Sequence, residues 1–328
     1  MIFRLAFLIL TLFPLITGCG GNAGKKNLKI AVVPKGKTHI FWKSVRAGAM
    51  KAAHEHKINI LWESPEKESD RQTQIQIVQG FISQNVDALV LAPLDSRSLV
   101  PVVKSVNRRE IPVIIFDSDL ASEDYVSFVA TNNYRGGGLC AEIMAEKLEE
   151  KGRVAILRFL EGSASTTNRE QGFLDRMRQI APEVNIVSSD RYAGATFEEA
   201  VKAAEQLLTD FPKLKGVYTP NETTTYAMLE ALKKTGKTGT IKFVGFDSND
   251  SITPALEAGH IDALALQDPF QMGYEAVIAA IKTANGEEVD RRIETRIAIA
   301  THENLSSPDV QTLLHPDIDK WLKTEKPK

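Results

Sequence analysis

Phe116-Asp117-Ser118-Asp119 returns, lightly edited, as Phe246-Asp247-Ser248-Asn249-Asp250. Each copy closes an apolar run, Pro112-Val113-Ile114-Ile115 in one case and Lys242-Phe243-Val244-Gly245 in the other. An aromatic followed by a carboxylate at the end of a buried strand is a kit for gripping a polyhydroxylated molecule. The C–H face of a ring lies against the aromatic, and the ionised carboxylate accepts charge-assisted hydrogen bonds from neighbouring hydroxyls. Phe41-Trp42 after the first apolar strand, Asn221 after the run at Val217 and Gln267 at the end of another short strand add aromatics and amides of the same kind. Plainer uses exist beside these: Phe41 and Trp42 as core residues of a first helical turn, Asp117 as a turn cap, Asn221 as a helix N-cap.

The elements that would position these residues also come in duplicate. Ala88-Leu89-Val90-Leu91-Ala92-Pro93 and Val217-Tyr218-Thr219-Pro220 are short apolar strands ending at proline. A helical stretch follows each, over 98–109 and 223–234, and then comes the Phe-Asp strand. Two copies of one βαβ design result, each presenting its carboxylate at a strand's carboxyl end, where open parallel sheets bind ligands. Two such edges facing each other would clamp a small polar molecule between them.

The rest of the chain keeps the same rhythm. Residues 28–33 read as a buried strand and 41–54 as a helix through Val45, Ala49, Ala52 and Ala53. Strand 59–62 and helix 70–84 follow, and Asn132-Asn133 caps a helix over 138–150. A second series places strands at 154–159, 185–188 and 216–219 and helices at 169–180, 197–209 and 223–234. Strand 261–267, helix 271–284 and a strand-like 296–300 close it. This alternation predicts an α/β fold of two similar doubly wound parallel-sheet domains, with helices on both faces of each sheet. One domain takes 28–131 with 268–293 and the other 132–267 with 294–302, joined by a three-crossing hinge near residues 131, 267 and 294. Residues 303–328 read as a surface strap.

At 328 residues the chain is long enough for two such cores, and its net charge of -2 points to neither nucleic acid nor an anionic membrane surface as partner. Its cysteines are Cys19 and Cys140, too few for a disulfide framework. Cys140, among Leu139, Ile143 and Met144, is expected to be a buried free thiol. Near the N-terminus Arg4 precedes an apolar run over 5–16 that is short for a bilayer span. That run ends in Leu15-Ile16-Thr17-Gly18-Cys19, which resembles a bacterial lipobox. Residues 1–18 are therefore expected to be a signal peptide, Cys19 the lipidated residue and 19–27 a tether. The mature protein would work outside the cytoplasm, in the periplasm or on the outer face of the cell membrane, attached by lipid alone.

Enzyme readings fare worse. Ala31-Val32-Val33-Pro34-Lys35-Gly36-Lys37-Thr38 satisfies a permissive phosphate-loop pattern and makes a P-loop NTPase the remote alternative. Its first glycine is missing and Ala31-Val32-Val33 belong to the strand, so the backbone cradle would be too short. No Gly-x-Ser-x-Gly, His-Glu-x-x-His or Cys-x-x-Cys occurs, and His54 and His56 diverge on a helix. A sugar-responsive transcription regulator of this fold would need an N-terminal helix-turn-helix where the signal stands. No enzyme activity, catalytic residue, metal or cofactor is expected.

In order and spacing, Ile30-Ala31-Val32-Val33, Phe41-Trp42, Asp87-Ala88-Leu89-Val90 and Ile111-Pro112-Val113-Ile114-Ile115-Phe116-Asp117 carry a resemblance. Asn133 with Gly136-Gly137, Arg169 with Gly172-Phe173, Asn221, Val244-Gly245-Phe246-Asp247 and Gln267 complete it. From about residue 28 to 300 the chain resembles the ribose-type periplasmic sugar-binding proteins, the extracytoplasmic receptors of bacterial ABC importers. The resemblance implies a monomeric receptor that closes on a sugar or related polyol and delivers it to a membrane permease. It implies that Phe41, Trp42 and Phe246 sandwich the ring, Asp117 and Asp247 accept from hydroxyls, Arg169 and Asn221 donate, and Gln267 sits near the hinge. Ser118 stands where ribose receptors carry an arginine, and Ala195 where they carry an aromatic, a space Tyr192 would fill. Pro34-Lys35, with His39 in place of an amide, Asp117-Ser118-Asp119 and Pro220 look instead like the receptor for a furanose quorum-sensing signal. Lys35, His39 and Ser118 therefore join the expected ligand-binding set. A furanose uptake system, or a receptor serving a membrane chemosensor, stands as the alternative.

Overall fold

The computed structural model describes residues 28–323. Cys19, the signal peptide and the tether lie outside the described residues.

The first part of the chain runs β1 (Lys29–Val33), α1 (Ile40–His56), β2 (Asn59–Trp62), α2 (Arg71–Ser83), β3 (Ala88–Leu91), α3 (Val100–Asn107), β4 (Val113–Phe116) and β5 (Ser127–Thr131). The second part repeats the pattern with α4 (Asn133–Lys147), β6 (Gly152–Arg158), α5 (Ala164–Ile180), β7 (Val184–Tyr192) and α6 (Phe197–Asp210). It continues through β8 (Gly216–Tyr218), α7 (Glu222–Lys234), β9 (Lys242–Phe246), α8 (Thr253–Glu257) and β10 (Ala263–Gln267). The chain then returns through α9 (Pro269–Ala284) and β11 (Arg292–Thr295), crosses again to β12 (Ile297–Thr301), and ends in α10 (Pro308–Leu314) and α11 (Ile318–Leu322).

Two sheets result, ordered β11-β5-β4-β3-β1-β2 and β12-β10-β9-β8-β6-β7. In each, the strand order reverses beside the first strand of the set, which opens a crevice at the carboxyl ends. Strands β1, β3, β4 and β5 are apolar and buried almost throughout, as sheets covered on both faces require. Two edges depart from the sequence reading. Strand β12 runs antiparallel to β10, and β11, a polar and mostly exposed strand absent from the pattern, pairs in parallel with β5.

Helix α4 begins at Asn133, several residues before the predicted start and through a run of three glycines, with Asn132 capping the Arg135 N–H at 3.1 Å. Packing explains why poor helix formers stand there. A Cβ on Gly137 would lie 1.8 Å from the Arg169 carbonyl oxygen, and one on Gly172 would lie 2.0 Å from that of Tyr134. Helices α4 and α5 thus cross backbone against backbone. The other domain repeats the device, with Gly48 facing the Phe270 carbonyl at 1.9 Å and Gly273 facing that of Val45 at 2.0 Å across α1 and α9. Tertiary contact outweighs the roughly 1 kcal/mol per residue that glycine costs a helix.

The strap does more than cover one surface. Val310 and Leu313 of α10 bury into the core beneath β10 and β12, whereas α11 reaches α1 of the first domain, with the Trp321 and His54 rings 5.8 Å apart.

Candidate functional site

Strands β4 and β9 hold the same place in their sheets, and each hands the chain to an aspartate in the left-handed region, Asp117 at φ 59 and Asp247 at φ 65. Such a conformation costs a residue with a Cβ roughly 1–2 kcal/mol. Both are held in it by the neighbouring strand: Asp117 N–H donates to the Val129 carbonyl at 3.0 Å, and Asp247 N–H to that of Ala265 at 2.8 Å. The turn ends the strand and aims the carboxylate beyond the sheet edge. Both carboxylates line one small cavity between the domains.

On the first domain's wall, Lys35 Nζ lies 2.8 Å from Asp117 Oδ2 and also donates across the cleft to Ser165 Oγ at 3.1 Å. Lys37, the lysine a phosphate cradle would use, pairs with Glu66 instead, and residues 34–39 precede the helix as irregular chain. Phe41 and Trp42, in the first turn of α1, both line the cavity and meet edge to face with centroids 4.8 Å apart. Trp42 serves core and cleft together: it packs edge-on against Phe116, and its indole N–H donates to Glu68 Oε1 at 2.6 Å. His39 sits at the entrance with Nδ1 3.3 Å from Glu222 Oε1 of the other domain. Burial pushes the imidazole pKa down, but the hydrogen bond to Glu222 and the charges of Glu68, Glu222 and Asp247 outweigh it and hold the group at about 9.

On the opposite wall Arg169, 2% exposed, is fixed from several sides. Its Nε donates to Asn133 Oδ1 at 2.8 Å, its Nη1 donates to the Pro220 carbonyl at 2.9 Å, and Nη1 lies 3.7 Å from Asp247 Oδ2. Gln267 Nε2 donates to Asp247 Oδ1 at 2.7 Å, which leaves its Oε1 without a partner among the described residues. Burial raises the Asp247 carboxyl to about 6 against the opposing pull of Arg169 and Gln267, with Glu222 and Asp117 adding repulsion. Asn221 lines the cavity and is also the N-cap of α7, its Oδ1 accepting from Thr224 N–H at 3.2 Å. The capping use and the cleft position coexist.

Three expectations change. Phe246 is fully buried in the core beside α4 and α5, and the Arg169 guanidinium covers its ring 4.0 Å from the centroid. It supports the arginine from behind and lines none of the cavity. Ser118 is also buried off the cavity, with Oγ accepting from Ser165 N–H at 3.0 Å, so it ties the domains together. Tyr192 is 38% exposed under Arg158 and does not fill the place of the absent aromatic. Phe159, on the loop after β6, lines the cavity.

Glu68, Ser163, Ser165, Thr166, Glu222 and Thr223 also line the cavity and escaped the sequence reading. For Phe159 and Glu222 the signal was available, since Phe159 directly follows β6 and Glu222 opens the helix after β8; Glu68 sits mid-loop with no local mark. Cys140 is buried, as its apolar neighbours predict, and burial pushes its thiol up to about 12. Among the described residues no His, Cys, Asp and Glu cluster could hold a metal ion, and no helix is long and apolar enough to cross a membrane.

Residues 30–288 match the family model described as periplasmic binding protein domain. The chain is 30% identical over 288 residues to a D-ribose/D-allose-binding protein of Pseudomonas aeruginosa, covering 83% of this chain and 88% of that one. Among solved structures it is similar to the periplasmic component of an ABC-type sugar transport system from Hahella chejuensis. There the identity is 36% and the TM-score 0.80, over 83% of this chain and 99% of that one. It is also similar to a carbohydrate transporter solute-binding protein from Agrobacterium radiobacter in complex with D-arabinose. That match has 28% identity and a TM-score of 0.86, over 88% of this chain and 99% of that one.

Proposed function

The chain belongs to the periplasmic binding protein domain family, and from that premise we propose that it captures a sugar or sugar-like polyol outside the cytoplasm and hands it to the permease of an ABC importer. The single observation that carries the reading is the pair Asp117 and Asp247. One comes from each domain, both stand in the same left-handed turn, and both face one cavity between the domains. Phe41, Trp42 and Phe159 supply flat apolar surface for a ring, and the two aspartates accept from its hydroxyls. Arg169, the Asn221 amide and Gln267 complete the polar set, with Lys35 and His39 at its edges.

The mechanism is capture by closure. Residues 28–131 with 268–293 act as one jaw and 132–267 with 294–302 as the other, hinged where the chain passes between the sheets. Only the closed form lets a guest meet both aspartates at once, so binding shifts the population towards it. Periplasmic binding proteins are the standing example of hinge closure around a ligand. Closed and open forms expose different outer surfaces, which lets a permease tell loaded from empty. No bond is made or broken in this cycle. A lipid on Cys19 keeps the monomeric receptor beside its membrane partner.

A thermal-shift and denaturation panel of pentoses, hexoses, cyclitols and furanoses on the mature chain tests the proposal. A ligand at a hundredfold excess over its dissociation constant adds about 2.7 kcal/mol of stability. Asp247→Ala is expected to remove that gain while the unliganded variant still folds. A full gain in the variant would sink the site assignment.

A further inference from the structure

The charge on the cleft walls exceeds what a neutral sugar calls for. Four carboxylates line the cavity, Glu68, Asp117, Glu222 and Asp247, against the fixed cations Lys35 and Arg169 and the imidazole of His39. Lys35 answers Asp117 at 2.8 Å, Arg169 answers Asp247 at 3.7 Å and His39 answers Glu222 at 3.3 Å. Glu68 has no ion pair of its own among the described residues; it accepts from the neutral indole N–H of Trp42. Even with His39 protonated, one negative charge stays uncompensated. Glu68 is half-buried, where water screens a charge less than in bulk, so a counter-charge beside it is favourable.

The unpartnered polar atoms point the same way. Gln267 is 4% exposed, and its Oε1 lacks a hydrogen bond among the described residues, as do Glu222 Oε2, Asp117 Oδ2 and the Ser163 hydroxyl, all from residues lining the cavity. All but the serine hydroxyl are acceptors only. A hydroxyl brings one donor together with two lone pairs that need donors of their own, whereas an ammonium brings three donors, a positive charge and no acceptor. Glu68 and Glu222 belong to different domains and flank the same entrance beside His39. A cation between them draws the two walls together.

We propose that the natural guest carries a protonated amine, an amino sugar or aminated polyol, with its ammonium at the Glu68–Glu222 end of the cleft. This rests on the sugar-receptor reading and narrows it. In this placement the ring lies between Phe41, Trp42 and Phe159, its hydroxyls face Asp117 and Asp247, and the amine supplies the missing counter-charge.

Titration calorimetry on the mature chain, at low salt and near-neutral pH, where Asp247 is ionised, tests this with matched sets. Each set holds an amino-deoxy hexose or pentose, its neutral parent, its N-acetyl form and the corresponding sugar acid. The amine is expected to bind roughly tenfold tighter than its neutral parent, with the ratio shrinking as salt screens the charges. Glu68→Gln is expected to bring that ratio towards one. A neutral or N-acetyl form that binds as tightly as its amine overturns the charge assignment and leaves the sugar-receptor reading standing. An amine preference untouched by Glu68→Gln and by salt overturns it equally. Failure of every member to bind, whatever its charge, sinks the receptor reading and this inference with it.

Discussion

Asp247 stands in a place where a carboxylate harms the fold, and Asp247→Asn measures by how much. Burial raises its carboxyl from 3.8 to about 6. At 1.36 kcal/mol for each tenfold change in proton affinity, ionising it in the folded protein costs up to about 3 kcal/mol. Asparagine escapes that cost and still accepts from Gln267 Nε2, but it forfeits the bond from Glu222 N–H, now 3.2 Å from Oδ2. A lost bond of that kind is worth about 1 kcal/mol. A group whose folded pKa is raised contributes its stability below the unfolded value and loses it as pH rises through the folded one. The wild type therefore carries no penalty below 3.8 and the whole penalty above about 6. Urea denaturation of the unliganded proteins is expected to show the variant more stable by about 2 kcal/mol at alkaline pH and less stable by about 1 kcal/mol at acid pH. The two curves cross in between. A variant that is weaker at alkaline pH, or a difference that ignores pH, would refute the reasoning. Ligand binding should fall in the same variant, which would mark the charge as kept for capture at the expense of stability.

His39, held at about 9 against its ordinary 6.5, stabilises the folded protein fully below 6.5 and loses that contribution as pH rises through 9. A pH series of thermal melts should show this loss in the wild type, and His39→Gln should flatten it; an equal slope in both would remove His39 from the domain-bridging role. Neighbouring glycines should respond oppositely to alanine. Gly137→Ala drives a Cβ to 1.8 Å from a backbone oxygen and should cost several kcal/mol, whereas at Gly138 the nearest atom is 3.8 Å away. Gly138→Ala should gain about 0.5–1 kcal/mol from helix propensity. Similar melting temperatures for the two variants would contradict the backbone-to-backbone crossing of α4 and α5.

The α/β architecture was legible because apolar strands and amphipathic helices alternate with little interruption, and the Phe-Asp repeat marked equivalent strand ends. Adjacency in sequence does not disclose which side of a strand end a side chain takes. Phe246 and Asp247 are neighbours, yet the ring goes into the core under Arg169 and the carboxylate into the cleft. Arg169 and Asn133, far apart in the chain, meet only because α4 and α5 cross at their glycines. Glu68 owes its place to a loop whose path is set by Trp42, a tertiary contact with no local signature. Strand β11 escaped notice since its exposed edge leaves it no apolar pattern.

The domains also touch directly, through Lys35 to Ser165 at 3.1 Å, Ser165 N–H to Ser118 at 3.0 Å and Ser96 N–H to the Gly162 carbonyl at 3.0 Å. Each of these bonds joins protein atoms alone and so favours closure independently of any guest. A membrane partner that judges shape alone would therefore meet vacant impostors, at a rate set by the free-energy gap between vacant-shut and vacant-ajar molecules. Each roughly 1.4 kcal/mol taken from these bridges makes such false alarms tenfold rarer. The strength of a few serine and lysine contacts thus sets how often the transport machinery is summoned for nothing.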